Sequence, residues 1–436
     1  MRIEFWSSVE CNAFLSGLIR ELRTAGHDAV HRFQVSNSDY RRARSKCGHL
    51  WLRIRMYAVY PLQLMVASLW CREPVVSVVT TNTFFAPLLA TLVASRQRRV
   101  VHLVYDLFPE ALIQAQAIRA NGFLSKALSW ITAVILRRCS ANVFLGERLQ
   151  QYVQSRYRRI RNATVIPVGA DGRPFTRHDD GDDSVGRSAP LDIEAAEKSS
   201  GPLPVTVLYC GNMGRMHDVA TLTELLKAGL DTRLDGFDPS SGGKAEVGAV
   251  TGHTCDGPAN ALAPSECKPA RIPTLHFVFH ATGSGYSQLR SIYAGVPNDT
   301  PTLIAPGLCV TFSGDLGDSE WEATMRAAEI AFVTIAPGAE RVVMPSKVYS
   351  AMVAGQAILA VCSWDSDLAS MVRKHDCGWV VEPGDVGGLA EVLSRIRSNG
   401  AEVIAKRRNA YQAGHSCYDV KALVPLWLAL FSRGSA

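Results

Sequence analysis

Four short stretches carry residues whose types and spacing suit chemistry. The first is Leu208-Tyr209-Cys210-Gly211-Asn212-Met213-Gly214-Arg215, an apolar strand pattern running into Gly-Asn-x-Gly, with a helix pattern starting near Asp218. Gly211 and Gly214 let the backbone approach a ligand closely, helix-end amides can meet a phosphate or a reacting sugar, and Arg215 adds positive charge. The plain alternative is a glycine turn at a strand end. The second stretch, Ala281-Thr282-Gly283-Ser284-Gly285-Tyr286, also follows an apolar run. A turn there suits a base or ribose lying against the backbone.

The third stretch is the sharpest: Met344-Pro345-Ser346-Lys347-Val348-Tyr349-Ser350-Ala351-Met352-Val353-Ala354-Gly355. Pro345 suits a first helical turn and Ser346 a cap. Lys347 then sits at the helix start, the wrong end for a cation unless an anion lies between it and the backbone amides. A diphosphate fits that role, and Ser350, one turn on, can reach the same ligand. The alternative is a surface lysine on a short helix. The fourth stretch, Tyr105-Asp106-Leu107-Phe108-Pro109-Glu110, follows the strand pattern of residues 100–105. Asp106 or Glu110 can orient an acceptor hydroxyl or take its proton, or can cap the helix that follows.

Other chemistries lack their signatures. There is no GxGxxG, and Asp231 follows a helical pattern, so a dinucleotide site is poorly supported. GxSxG and GxxxxGK[ST] are also absent. Asp180/Asp182 and Asp365/Asp367 could hold a hard cation but follow no strand, and the pairs His27/His31 and His276/His280 read as structural, so no metal is expected. The 11 cysteines are odd in number, widely spaced and without CxxC, which suggests reduced thiols and a cytosolic setting.

The elements that must position these stretches alternate as β and α through the chain. That alternation implies α/β architecture with mostly parallel sheets. The pattern runs once through residues 1–185, pauses in a charged Ser/Gly/Pro-rich linker at 186–203, and restarts over 204–400. An unpatterned insertion at about 234–270 interrupts the second unit, and helices at 401–436 can return to the first. Two Rossmann-like domains facing across a cleft are expected, with ligands beyond the C-terminal strand ends. Charge divides along the same line. Residues 1–180 carry 25 Lys/Arg against 12 Asp/Glu, and the rest 21 against 28. The cluster Arg41, Arg42, Arg44, Lys46 precedes an apolar stretch from Met56 to Trp70, too short to span a bilayer. It is either a buried helix or an interfacial one suited to anionic lipid. Nucleic acid is not expected, because no RNP-like aromatics or helix-turn-helix pattern appears.

The glycine turns and the Pro-Ser-Lys block resemble glycosyltransferase family 4, in particular the bacterial branch that transfers aminosugars or deoxysugars in surface-polysaccharide assembly. The matching pieces are YDLFPE (105–110), VIPVGAD (165–171), YCGNMG (209–214), TGSG (282–285), VTFSG (310–314), MPSKVYSAMVAGQAILA (344–360) and HDCGWVVEPGD (375–385). The resemblance implies the GT-B fold and metal-independent, retaining transfer from a nucleotide-diphosphate sugar, UDP-sugar favoured, with no permanently bound cofactor. It implies a donor site of Gly211, Asn212, Gly214, Arg215, Gly283, Ser284, Pro345, Ser346, Lys347 and Ser350. Asp106, Glu110 and Lys347 become the catalytic candidates. The acceptor would be lipid-linked or a polysaccharide, with the enzyme cytoplasmic and peripheral on the anionic inner membrane surface. The wider family carries two glutamates eight apart; those positions hold Val342 and Ser350 here. A non-catalytic nucleotide-sugar or glycan-binding protein on the same scaffold is the alternative.

Overall fold

The computed structural model describes residues 1–10, 13–43, 45–176, 205–228, 275–305 and 307–433. The linker expected at 186–203 and the insertion at 234–270 lie outside the described residues, as do Cys11, Asn12 and Arg44.

The first domain is built on β1 (Arg2–Trp6), β2 (Asp28–Arg32), β3 (Val75–Thr80), β4 (Arg98–Val104), β5 (Ala141–Phe144) and β6 (Ala163–Val165), all parallel in the order β2-β1-β3-β4-β5-β6. Its helices are α1 (Ala13–Thr24), α2 (Asn37–Arg42), α3 (Lys46–Ile54), α4 (Tyr60–Leu69), α5 (Ala86–Val93), α6 (Glu110–Gln114), α7 (Phe123–Arg138) and α8 (Glu147–Arg156). The all-buried strand VVSVVT of β3 shows why: a central parallel strand is covered on both faces and is apolar throughout.

The second domain has β7 (Val205–Asn212), β8 (Leu275–Thr282), β9 (Thr302–Ala305), β10 (Leu308–Ser313), β11 (Ile330–Thr334), β12 (Ala357–Val361) and β13 (Gly378–Val381), in the order β13-β12-β11-β7-β8-β10-β9. Only the edge strand β9, which the sequence pattern does not reveal, pairs antiparallel among these. Helices α9 (Ala220–Ala228), α10 (Ser284–Ile292), α11 (Asp318–Ala327), α12 (Lys347–Val353), α13 (Asp367–Lys374) and α14 (Val386–Ser398) cover it. Then α15 (Gly400–Ala413) leads into α16 (Val420–Ser432), which packs on α1 of the first domain. Trp427 meets Phe5 edge-on with ring centroids 5.9 Å apart, and Arg99 donates to the carbonyls of Leu430 and Phe431. One buried apolar cluster therefore runs from the α1 side of the first sheet through α16 to α12 and α13.

Two readings of local structure are sharpened. The apolar stretch 56–70 is helical to Leu69, continuous with the preceding helix through a π-helical turn at Arg55–Val59, and only one side of it is buried, with Tyr60 and Leu64 inside and Leu62, Val66, Leu69 and Trp70 exposed. The helix expected from Pro109 ends at Gln114, because Gln116 adopts φ +57° and breaks the ladder.

Candidate functional site

Strands β7 and β8 are neighbours in register, so their two glycine turns lie side by side at the same sheet edge: Gly211 faces Ala281, and Asn212 faces Thr282. The turns bind each other. The Met213 amide donates to the Thr282 carbonyl at 2.8 Å, and the Gly285 amide donates to the Met213 carbonyl at 2.8 Å. The first-turn amide of α10 thus serves the neighbouring loop. Gly283, at φ +100° and ψ 173°, has backbone angles that only glycine holds without strain. A Cβ there would collide with Asn212 Oδ1 and come within 2.8 Å of the Met213 carbonyl. Asn212 and Met213 occupy the space against its backbone. Ser284 is exposed beside it. Gly211, at φ +109°, is different: nothing lies within 4 Å of where its Cβ would be.

Lys347 begins α12 and reaches this edge from β11's side of the sheet. Its Nζ donates to Tyr209 Oη at 2.5 Å and to the Asn212 carbonyl at 3.3 Å, and lies 3.8 Å from the Tyr209 ring centroid. Tyr209 Oη in turn donates to the Asn212 carbonyl at 2.9 Å. Among the described residues no carboxylate forms an ion pair with Lys347. Burial without such a partner pushes the ammonium down to about 7. His217 completes this corner, its Nδ1 accepting the Gly214 amide at 3.1 Å; desolvation and then Lys347 lower it to about 4, so the ring is neutral. Tyr209 sits two residues before Gly211 on the strand; its place in the YCGNMG block is the signal that marks it.

Pro345 is buried and Ser346 exposed. Ser346 holds the N-cap position, but its backbone is helical (φ −61°, ψ −25°) and its side chain makes no capping bond. An extended backbone is what lets a capping oxygen reach back to the helix amides. Ser350 lines a cavity of about 70 Å³ behind Lys347 with Cys210, Trp321 and Gln356. Arg215 is exposed and spans the two domains, donating from Nη1 to the Ala115 carbonyl at 3.0 Å.

Across the cleft, Thr81 Oγ1 accepts the amides of Tyr105 and Asp106 at 3.0 and 2.9 Å and fixes the loop after β4. Asp106 remains open to solvent, yet the flanking protein raises its carboxyl above the ordinary range. Glu110 is buried and engaged. Its Oε1 meets Arg156 Nε at 2.7 Å and accepts Tyr152 and Tyr157 hydroxyls, each at 3.3 Å. Desolvation nevertheless raises its carboxyl, outweighing Arg156. Glu110 lines an interdomain hollow of about 270 Å³ with Arg156 and Arg341, apart from the Lys347 corner. Val342 also borders it and packs into the first domain's cluster with Leu107, Phe144 and Tyr157. Among the described residues no group of three or more His, Cys, Asp or Glu side chains is placed to hold a metal ion.

No family model and no curated protein matches the chain. Solved structures do. Sucrose-phosphate synthase from Thermosynechococcus elongatus aligns over 99% of this chain and 99% of its own, with 12% identity and a TM-score of 0.60. The Anabaena Alr3699/HepE protein in complex with UDP-glucose aligns over 99% and 100%, with 13% identity and a TM-score of 0.60. WaaG, a glycosyltransferase involved in lipopolysaccharide biosynthesis, aligns over 99% and 100%, with 11% identity and a TM-score of 0.58. At these identities the likeness is one of fold, and it agrees with the two sheets and their facing edges: the chain has the GT-B architecture.

Proposed function

We propose that this protein is a retaining glycosyltransferase that takes its sugar from a nucleotide-diphosphate sugar, UDP-sugar favoured. The acceptor we propose is a lipid-linked or polysaccharide hydroxyl, in keeping with the family 4 branch that transfers aminosugars or deoxysugars. The observation that carries this reading is the half-buried ammonium of Lys347, without a carboxylate partner among the described residues, at the edge formed by the two glycine turns. A cation so placed has lost part of its water, and a diphosphate beside it would favour its charged form. The solved complexes of Alr3699/HepE with UDP and UDP-glucose support the donor class.

In this reading the acceptor oxygen bonds to the anomeric carbon on the face from which the diphosphate departs. The hydroxyl proton passes to the leaving phosphate oxygen. The main demand is stabilisation of leaving-group charge. Lys347 meets it without a metal ion, Arg215 adds a weaker, solvent-screened charge, the open turn at Gly211, Asn212 and Gly214 admits the phosphates, and Ser346 and Ser350 flank them. Gly283 and Ser284 border the nucleoside, Pro345 sets the start of α12, and Asp106 orients the acceptor. Glu110, already tied to Arg156 and two tyrosines, holds the opposite wall. Transfer from a panel of UDP-, GDP- and other nucleotide sugars by the purified protein tests this, with Lys347→Ala as the control that sharply lowers it.

Val342 favours a second reading. Where the wider family has a glutamate near the transferred sugar, this chain has an apolar side chain packed into the other domain, a change that binding without turnover tolerates. Nucleotide-sugar binding with neither transfer nor hydrolysis would establish it.

We also propose peripheral attachment to the anionic inner membrane surface. Segments 46–69, 86–93 and 123–138 contain no Asp or Glu, and Lys46, Arg53, Lys126, Arg137 and Arg138 are exposed on them. Trp51, Phe123 and Trp130 are exposed on the same helices. Among the described residues no helix is long and apolar enough to cross a membrane. Aromatic side chains among cations suit an interface.

A further inference from the structure

A second polar hollow lies on the first domain, at the opposite end of its sheet from the cleft. Arg2, Val75 and Arg98 begin β1, β3 and β4, and the hollow opens among them. It runs along the face of β1, past Glu4 and Trp6 to Arg32 on the edge strand β2. Its other wall is the C-terminal end of α4 and the turn after it, from Ala67 and Trp70 to Arg72 and Glu73. Its volume is about 430 Å³, the size of a small-ligand pocket.

Four guanidinium groups line it against two carboxylates. Glu4 is 3% exposed, and its charge is shared several ways. Arg98 Nη1 lies 2.9 Å from Glu4 Oε2, Trp6 Nε1 donates at 3.0 Å, and Arg2 and Arg32 approach at 3.4 and 3.7 Å. Glu73 is exposed and lies 3.7 Å from Arg2, and Asp28, outside the hollow, lies 3.9 Å from Arg2 Nε. With Arg72 the guanidinium groups number four against the three carboxylates Glu4, Glu73 and Asp28, of which Glu4 alone is buried, so an excess of positive charge remains. Arg98, 7% exposed, is bonded through Nη1 to Glu4 and to Ser77 Oγ, while its buried Nε has no hydrogen-bond partner; the same holds for the buried Nε of Arg2, whose side chain is otherwise half-exposed. A desolvated guanidinium with an unused donor is costly unless an acceptor arrives.

We infer that this hollow is an oxyanion site, built to take a phosphate mono- or diester. Arginine's planar fork matches phosphate oxygens two at a time. Two sources present that chemistry: a soluble phosphorylated metabolite and the headgroup of an anionic lipid. Trp70, 76% exposed, stands at the hollow's rim, and Leu69 and Val66 continue an exposed apolar strip along α4. That strip gives acyl chains a place beside a headgroup. The site is independent of the donor cleft and of the transfer reaction.

The test uses the full chain and an Arg32→Gln/Arg72→Gln variant. Both side chains are exposed, neither reaches the cleft, and nucleotide-sugar binding serves as the folding control. Each protein is titrated with glycerol 3-phosphate, followed by thermal shift, and with vesicles of phosphatidylcholine with or without phosphatidylglycerol, followed by co-sedimentation. The variant is expected to lose about tenfold in affinity, the scale of two solvent-exposed charge pairs, with the loss shrinking in high salt. If the source is lipid, wild type binds phosphatidylglycerol vesicles, and Trp70→Ser weakens vesicle binding. If the source is soluble, glycerol 3-phosphate raises the wild-type melting temperature and not that of the variant, and Trp70→Ser has no effect. The inference is overturned if the variant matches wild type towards both probes, or if wild type binds neither.

Discussion

The two glycine turns that end β7 and β8 look alike in sequence and differ in what surrounds them. Both follow an apolar strand and both hold a glycine at positive φ. At Gly283 and Gly285 the missing side chains make room for Asn212, Met213 and Val219 of the same domain. At Gly211 the missing side chain leaves open space, and at Gly214 the only neighbour is the Asn212 side chain, 3.5 Å away. The second pair of glycines is demanded by packing, and the first pair leaves the cleft edge accessible. Lys347 confirms the asymmetry, because its amino group is directed at the carbonyl of Asn212 in the open turn. A glycine motif thus becomes evidence for a ligand only once the protein itself is shown not to fill the gap.

The largest expected effect lies at the open turn. Lys347→Ala should lower transfer by about a hundredfold or more, the scale of losing a positioned charge at a leaving group, with circular dichroism unchanged. Next is Gly283→Ala, which combines forbidden backbone angles with a collision and should cost about 3 kcal/mol in urea unfolding. Gly211→Ala carries backbone strain without a collision and should cost about 1–2 kcal/mol. Equal costs at the two positions would break the comparison.

A pH effect follows. Lys347 is cationic below about 7, so nucleotide-sugar affinity should fall by up to about tenfold per pH unit above that value. Stability runs the other way. Between 7 and the ordinary lysine value of 10.5 the unfolded chain keeps a proton that the native state has lost, so this lysine's burden on stability is full below 7 and fades as pH rises. Lys347→Met should therefore stabilise the ligand-free protein most below pH 7, with the gap in melting temperature closing towards pH 10. The smallest effect is that of Arg215→Ala. This exposed side chain, bonded to the Ala115 carbonyl, should change donor affinity only a few-fold, within about 1 kcal/mol.

Much of the architecture is legible in the residues themselves. Parallel strands buried on both faces read as continuous β-branched runs, as in VVSVVT, and the Pro-Ser-Lys block announces a helix start. Less legible is what depends on distant partners. The π-turn at Arg55–Val59 leaves no local mark, and neither does the edge strand Thr302–Ala305. Glu110 reads as a free acid beside Asp106, because the residues that enclose it, Tyr152, Arg156 and Tyr157, come from a helix about forty positions on. Val342 was recognisable as a departure from a glutamate position, but not as a plug in the first domain. Tyr209 was in plain view within a motif and acquired meaning only when Lys347 was found above its ring.

Lys347 and the open turn are proposed to receive the diphosphate of a nucleotide sugar. Calorimetric titration of UDP-sugars and other nucleotide sugars into wild type and Lys347→Ala at pH 6 and pH 8.5 tests it most directly. Wild type should bind more tightly at pH 6 and take up a proton on binding at pH 8.5, and the variant should bind at least tenfold more weakly and without pH dependence. Failure of every nucleotide sugar to bind, or equal binding by the two proteins at both pH values, would contradict it.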